Sequence, residues 1–159
     1  MSYVKTIDEL CQIRKELKEQ NKKVVFTNGV FDILHAGHVD YLGKAKEFGD
    51  VLIVGVNSDA SVKRIKGELR PVVPQQERAF IIASLKPVDF VTIFEEDTPF
   101  EVINKLIPDV LVKGADWSKD KIVGADVVEA NGGSVETIKF VNQTSTTNII
   151  KTVLEKHKD

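Results

Sequence analysis

The sequence predicts an α/β protein with a Rossmann-like, doubly wound sheet of about five parallel strands and helices on both faces. Short apolar runs alternate with segments whose apolar residues recur every three or four positions, which is typical of parallel strands joined by crossover helices. Polar or glycine-containing segments directly follow several of these runs. Ligands of such sheets bind beyond the carboxyl ends of the strands, near the switch in strand order, so we expect the functional residues to lie there.

Length and composition favour one globular unit. The chain has 159 residues, of which 42% are hydrophobic and 29% charged, and its net charge is −2. We therefore predict a single domain over residues 1–159, with an N-terminal helical extension over 1–22. The charge balance predicts no nucleic-acid partner. No apolar run reaches the roughly 20 residues that cross a bilayer and no secretory segment is seen, so we expect a cytoplasmic protein without a membrane partner.

The elements follow in order along the chain. An amphipathic helix over residues 7–21 is expected to pack on the sheet edge or on a partner. Apolar runs predict strands over residues 24–26, 51–56, 90–94, 110–112 and 135–138. Helical periodicity predicts helices over residues 36–48, 78–85, 99–106, 125–130 and 146–155. The basic stretch 63–71 lacks apolar periodicity and is predicted to be a loop.

Two histidines bracket a glycine where the first strand leads into the next helix. The first amides of a helix lack intrahelical partners and the helix dipole favours negative charge, so His35 and His38 lie where an oligophosphate can dock. Gly37 would let the backbone approach the ligand closely. Zinc would need further ligands, yet the remaining histidine is His157 in the tail and Cys11 is in the first helix. The alternative is that both histidines merely cap the helix, but two of them around a glycine favour phosphate.

Polar residues also follow the later strands. Lys113-Gly114-Ala115-Asp116-Trp117 comes after the fourth strand, and Asn142-Gln143-Thr144-Ser145-Thr146-Thr147 leads into the last helix. The hydroxyls of this second segment can cap the helix or form a second anion cradle. The basic stretch, followed by Arg78, is either a solvated face or a cover over two phosphorylated ligands.

At this point the residues resemble a known family. The span 24–153 is similar to the adenylyltransferases that make ADP-heptose, which are nucleotidyltransferases of the cytidylyltransferase-like superfamily. The superfamily level rests on the H-A-G-H pattern at 35–38 and on Ser145-Thr146-Thr147, versions of which glycerol 3-phosphate cytidylyltransferases also carry. The subfamily level rests on the blocks 27–39, 56–61, 70–72, 95–99, 111–116 and 132–133. Phe140 stands where the glycerol-type enzymes carry arginine, which argues against a cytidylyltransferase.

The resemblance implies transfer of AMP from ATP to D-glycero-D-manno-heptose 1-phosphate, giving ADP-heptose and pyrophosphate for lipopolysaccharide or other surface glycans. It implies catalytic roles for His35 on the ATP phosphates, for His38 on the α-phosphoryl oxygens, and for Lys66 between the substrates. The implied nucleotide-binding residues are Thr27, Asn28, Gly29, Val30, Phe31, Gly37, Gly114, Asp116, Ser145, Thr146 and Thr147. The implied acceptor-binding residues are Asp32, Lys63, Arg70, Arg78 and Trp117. Magnesium is implied as the ATP complex, with no ligands identified.

Several alternatives stay open. Asp32 and Asp116 can contact the magnesium ion or sugar hydroxyls, and Asp32 can equally do no more than hold its turn. Trp117 can cover the base or the sugar, or simply pack. Other hypotheses are a cytidylyltransferase for glycerol 3-phosphate or another phospho-alcohol, and a nucleotide-binding regulatory module without turnover. The resemblance also implies a homo-oligomer such as a dimer, with the first helix as the expected contact.

Overall fold

A parallel sheet lies at the centre of the molecule. The computed structural model describes residues 3–116, 118, 121–140 and 144–158, and within them the strands are β1 (Val24–Gly29), β2 (Val51–Asn57), β3 (Phe90–Phe94), β4 (Val110–Gly114) and β5 (Ser134–Ile138). All neighbouring strands are parallel, in the order β3-β2-β1-β4-β5. The chain therefore progresses from β1 towards one edge and then returns to the other side of β1. The switch in strand order lies between β1 and β4.

Helices cover both faces of this sheet. In the described residues they are α1 (Ile7–Glu19), α2 (Ala36–Lys46), α3 (Asp59–Lys66), α4 (Gln75–Ala83), α5 (Phe100–Leu106), α6 (Ala125–Ala130) and α7 (Thr146–Lys156). Side chains alternate along β1, so Val25 packs with Leu42 of α2 and Ile82 of α4, whereas Phe26 packs with residues of α1, α5 and α6 on the other face. The predicted fold class is confirmed.

The first helix is used within the chain. It begins at Thr6, whose hydroxyl accepts from the Glu9 amide (3.2 Å) while the Glu9 carboxylate accepts from the Thr6 amide (2.8 Å). Leu10 is fully buried, and Arg14 donates to the Ile107 carbonyl (3.2 Å). The apolar stripe of α1 packs on the core and on α5, so it is used within the chain, and a contact of this helix with a partner stays a prediction. Self-association itself remains a prediction.

The basic stretch differs from the prediction. Asp59 to Lys66 form α3, so the expected loop over 63–71 begins only at Gly67. The helix is short and strongly charged, and its buried residues are only Ser61 and Val62, which leaves no apolar stripe for periodicity to detect. Its start could have been predicted, because the Ser58 hydroxyl accepts from the Ser61 amide as an N-cap (3.1 Å).

Among the described residues, no helix combines the length and apolar character needed to cross a lipid bilayer.

Candidate active site

A cavity of about 530 Å³ opens at the carboxyl ends of β1 and β4, which is the switch point of the sheet. This is where the sequence predicted that the functional residues would gather. Thirteen of the predicted site residues line the cavity: Asn28, Gly29, Val30, Phe31, Asp32, His38, Lys66, Arg70, Gly114, Asp116, Ser145, Thr146 and Thr147. Side chains from both faces of the sheet line the cavity, so a ligand on one face can contact a ligand on the other face at the carboxyl ends of the strands.

The two histidines form a stacked pair at the start of α2. Their ring centroids lie 3.8 Å apart with an interplanar angle of 25°, and the edge of the Phe31 ring lies against His38 at 5.4 Å. His35 is the N-cap residue but its side chain makes no capping hydrogen bond, so the capping alternative does not account for it. A Cβ at Gly37 would lie 3.0 Å from the His35 ring, so the glycine makes room for the imidazole.

Both imidazoles are partly buried, which disfavours their protonated forms. The pKa of His38 is lowered from its ordinary 6.5 to about 4, mainly by burial and also by the neighbouring His35, while Asp32 opposes the shift. Burial also lowers the pKa of His35. The Nδ1 atoms of both rings are buried and have no hydrogen-bond partner among the described residues. Unpartnered buried polar atoms are unusual and are typical of functional sites.

The His38 shift predicts how stability depends on pH. Unfolded His38 takes up a proton as the pH falls below about 6.5, whereas the folded imidazole resists protonation until about pH 4. The unfolded state then binds more protons, so the free energy of unfolding decreases as the pH falls through this window. We expect His38→Gln to weaken this decrease, measured by urea unfolding at a series of pH values. His157→Gln, which changes an exposed histidine at the end of α7, is the control and should leave the slope unchanged.

The hydroxyls at the start of α7 have defined roles inside the protein. The Ser145 hydroxyl accepts from the Asn148 amide (3.1 Å) as the helix N-cap, as one of the two alternatives predicted. The buried Thr146 hydroxyl donates to the Asp32 carbonyl. Thr147 is exposed and lines the cavity. The second alternative, an anion cradle, stays a prediction for this helix start.

Asp32 holds the loop between β1 and α2. Its buried carboxylate accepts from the Val72 and Val73 amides (2.9 Å each) and pairs with the Arg70 guanidinium (2.7 Å). Burial alone would raise the pKa of this carboxyl, but the two amides and Arg70 outweigh that effect and lower it. Asp32 therefore holds its turn. A substrate contact in addition stays a prediction.

Arg78 is a second internal support for the same loop. Its side chain is fully buried, and its guanidinium donates to the Val30 carbonyl (2.6 Å), to the Val73 carbonyl (2.8 Å) and to the Asp59 carboxylate (2.8 Å). It does not belong to the cavity lining. The predicted acceptor contact of Arg78 is therefore replaced by a supporting role beneath the site.

The remaining predicted residues are distributed around the cavity. Lys66, in the last turn of α3, is exposed and lines it, whereas Lys63 on the same helix does not. The Thr27 side chain is buried and hydrogen-bonds with Tyr41 (2.8 Å) and the Val112 carbonyl (2.9 Å), so only its backbone can meet a nucleotide. Trp117, like Asn142 and Gln143, lies outside the described residues.

The other lining residues were not predicted as site residues, and Lys113, Phe140 and Tyr41 are three of them. Lys113 is the next-to-last residue of β4 and donates to the Asn28 side-chain oxygen. Phe140 stacks on Tyr41 with ring centroids 5.2 Å apart, and burial raises the pKa of Tyr41 to about 12. A Cβ at Gly114 would lie 2.5 Å from the Phe140 ring, so this glycine allows the aromatic to close over β4. The charged residue at the end of an otherwise apolar strand was the sequence signal for Lys113.

The parallel sheet and the histidine-bearing helix start at its switch point are typical of α/β proteins that bind phosphorylated ligands. The cytidylyltransferase-like family matches residues 26–152, and the chain belongs to that family. Among curated relatives, the bifunctional protein HldE of Geobacter sulfurreducens is 54% identical over 154 residues, and that of Geotalea uraniireducens is 55% identical over 150 residues. These matches cover 97% and 94% of this chain but 31% of either relative, so the chain spans about a third of their length.

Solved structures share the fold. A lipopolysaccharide core biosynthesis protein from Thermoplasma volcanium superimposes with a TM-score of 0.61 at 30% identity, covering 77% of this chain and 99% of that protein. A pantoate-beta-alanine ligase from Francisella tularensis superimposes with a TM-score of 0.62 at 16% identity, covering 99% of this chain and 80% of the ligase. The second likeness shows the common fold alone.

Proposed function

We propose that this chain transfers AMP from ATP to D-glycero-D-manno-heptose 1-phosphate, giving ADP-heptose and pyrophosphate for a surface glycan such as lipopolysaccharide. The observation that carries the proposal is the cavity at the switch point, which is lined by His38, stacked on His35, and by the start of α7. The choice of substrates is supported by the sequence blocks shared with ADP-heptose-forming enzymes and by relatives 54% identical to the chain.

The reaction requires two anions to be brought together. A phosphate oxygen of the acceptor forms a bond to the α-phosphorus of ATP, the bond from that phosphorus to the oxygen bridging to the β-phosphate breaks, and pyrophosphate leaves. No covalent enzyme intermediate is needed, so the protein contributes positioning and stabilisation of the charge on the transferring group. In this proposal neutral His38 donates a hydrogen bond to the α-phosphoryl oxygens and His35 binds the ATP phosphates.

Magnesium enters the proposal with ATP. The described residues contain no group of three or more histidine, cysteine or acidic side chains that could hold a metal, and the Asp32 carboxylate is occupied by Arg70 and two amides. Asp116 is exposed at the cavity and is the acidic residue best placed to approach the ion or its water ligands. This fits an ion held mainly by phosphate and water, which would shield the triphosphate charge.

The direct test is pyrophosphate release by the purified protein with magnesium. ATP, GTP and CTP are each paired with heptose 1-phosphate and with glycerol 3-phosphate. Release with ATP and the heptose phosphate alone would support the proposal. Release with CTP and glycerol 3-phosphate would assign the chain to the cytidylyltransferases, and bound nucleotide without release from any pair would favour a regulatory module.

Lys66→Ala is expected to decrease turnover or to raise the KM for the acceptor. Lys66 lies in the last turn of α3 at the open side of the cavity, where its ammonium can approach both phosphorylated substrates. Initial rates at varied ATP and acceptor concentrations measure the effect. Lys63→Ala, three residues earlier on the same helix, is the matched control, because Lys63 does not line the cavity. Equal rates for Lys66→Ala and the wild type would remove Lys66 from the mechanism.

A further inference from the structure

A lysine of the cavity lies on the opposite face of the sheet from the histidines. Along β1, Val25 and Thr27 face the α2 side, whereas Phe26 and Asn28 face the α5 side. Lys113 of β4 shares the α5 side with Leu111, and its ammonium donates to the Asn28 side-chain oxygen. The same side of the cavity is lined by Thr98, Pro99 and Ile122. We call these five residues, Asn28, Thr98, Pro99, Lys113 and Ile122, the Lys113 recess.

The charge of Lys113 has no counter-charge among the described residues. The Lys113 ammonium donates to the neutral amide of Asn28, and burial lowers the pKa of Lys113 to about 8. The neighbouring Asp32 is paired with Arg70, and Asp97 is paired with Arg64 (2.6 Å). A partly buried cation without a counter-charge is unfavourable, so its presence at the cavity points to an anion that arrives with a ligand.

The other charged or titratable groups of the cavity lie away from this recess. Lys66 is at the open rim on α3, and Asp116 is exposed beyond the end of β4. His38 and Tyr41 are on α2, on the opposite face of the sheet. None of these groups contributes to the Lys113 shift, whose cause is burial. Lys113 therefore provides a cationic subsite separate from the histidine pair.

We propose that Lys113 binds the phosphate group of the acceptor substrate. The Asn28 side chain positions the Lys113 ammonium before the acceptor arrives. This inference rests on the proposed function, in which the histidine pair and the start of α7 serve the ATP phosphates on the other face. The cavity continues across the sheet edge from one subsite to the other, as transfer between two phosphorylated substrates requires. Pro99 and Ile122 give this side of the cavity apolar walls, which strengthen the attraction between the ammonium and a phosphate.

The test compares Lys113→Met with Lys105→Met, a control at an exposed lysine of α5. In Lys113→Met we expect the KM for heptose 1-phosphate to rise about 10- to 100-fold, as for loss of a charged hydrogen bond, with the KM for ATP unchanged within about twofold. In the wild type, kcat/KM for the acceptor should decrease as the pH rises through about 8, where the free ammonium loses its proton. That decrease should be absent from Lys113→Met.

The outcomes separate this inference from the proposed function. If the wild type turns over ATP and heptose 1-phosphate but Lys113→Met keeps its acceptor KM, or raises only the KM for ATP, the Lys113 assignment is wrong. If no substrate pair gives turnover, the pKa of Lys113 is measured by NMR in ¹³C-labelled wild-type protein with and without inorganic phosphate. A raised Lys113 pKa then supports the anion site although the proposed function has failed, and an unchanged pKa overturns both. If Lys113→Met does not fold, the same measurement on the wild type tests the inference in its place.

Discussion

His38→Ala is expected to lower kcat by about 10²- to 10³-fold, the usual loss when a hydrogen-bond donor to the transition state is removed. The expectation rests on the position of the imidazole, which lines the cavity at the first turn of α2 and is held between the His35 ring and the edge of Phe31. Because its pKa is about 4, His38 is a neutral donor in the free protein. Pyrophosphate release at saturating ATP and acceptor measures the change.

His35 and His38 should respond differently to substitution. If His35 contacts the ATP phosphates in the ground state as well as in the transition state, His35→Ala should raise the KM for ATP more than it lowers kcat. His157→Ala is the matched histidine control and should behave as the wild type. A His38→Ala protein that melts like the wild type and turns over at the same rate would remove His38 from the chemistry. A variant that no longer folds would instead make the imidazole a structural element.

Much of the fold could be predicted because its signals are local. Each predicted strand has its counterpart in the sheet, and α6 coincides with its predicted bounds. The capping role of Ser145 could likewise be predicted, because a serine hydroxyl directly precedes a segment whose apolar residues recur at helical spacing. Helix α3 was missed because it buries only Ser61 and Val62 and has no stripe. The location of the site followed from the general rule for parallel sheets.

The roles of individual polar residues were harder to predict because they depend on contacts far apart in sequence. Lys113 meets Asn28 only because β4 lies beside β1, and that strand order is not visible in local periodicity. Arg78 similarly reaches the Val30 carbonyl from α4. In the sequence, a basic residue next to a basic stretch is equally consistent with a ligand contact and with a buried support. Burial and partners decide between these alternatives, and both come from tertiary structure.

Arg78→Ala is expected to lower the free energy of unfolding by about 3 kcal/mol, because removing a buried donor costs about 1–3 kcal/mol for each buried acceptor left unsatisfied. The change would leave the Val30 and Val73 carbonyls and the Asp59 carboxylate without their guanidinium donor. Urea unfolding measures the effect. Arg64→Ala is the matched control, because its pair with Asp97 is about half exposed and should contribute no more than about 1 kcal/mol.

The same substitution should also affect catalysis, because Arg78 supports a strained loop. Phe31 and Ile33 have φ angles of 49° and 47°, a conformation that costs side-chain-bearing residues of order 1–3 kcal/mol each. Arg78 holds the Val30 carbonyl just before this pair, and Asp32 lies between the two strained residues. With the guanidinium removed, we expect the loop to relax and the His38 imidazole to shift, so kcat should decrease even well below the melting temperature. If Arg78→Ala loses stability but keeps the wild-type kcat, Arg78 supports the fold without positioning the site. Arg78→Lys keeps the charge but cannot make all three hydrogen bonds of the guanidinium, so its stability and its kcat should lie between those of the wild type and of Arg78→Ala.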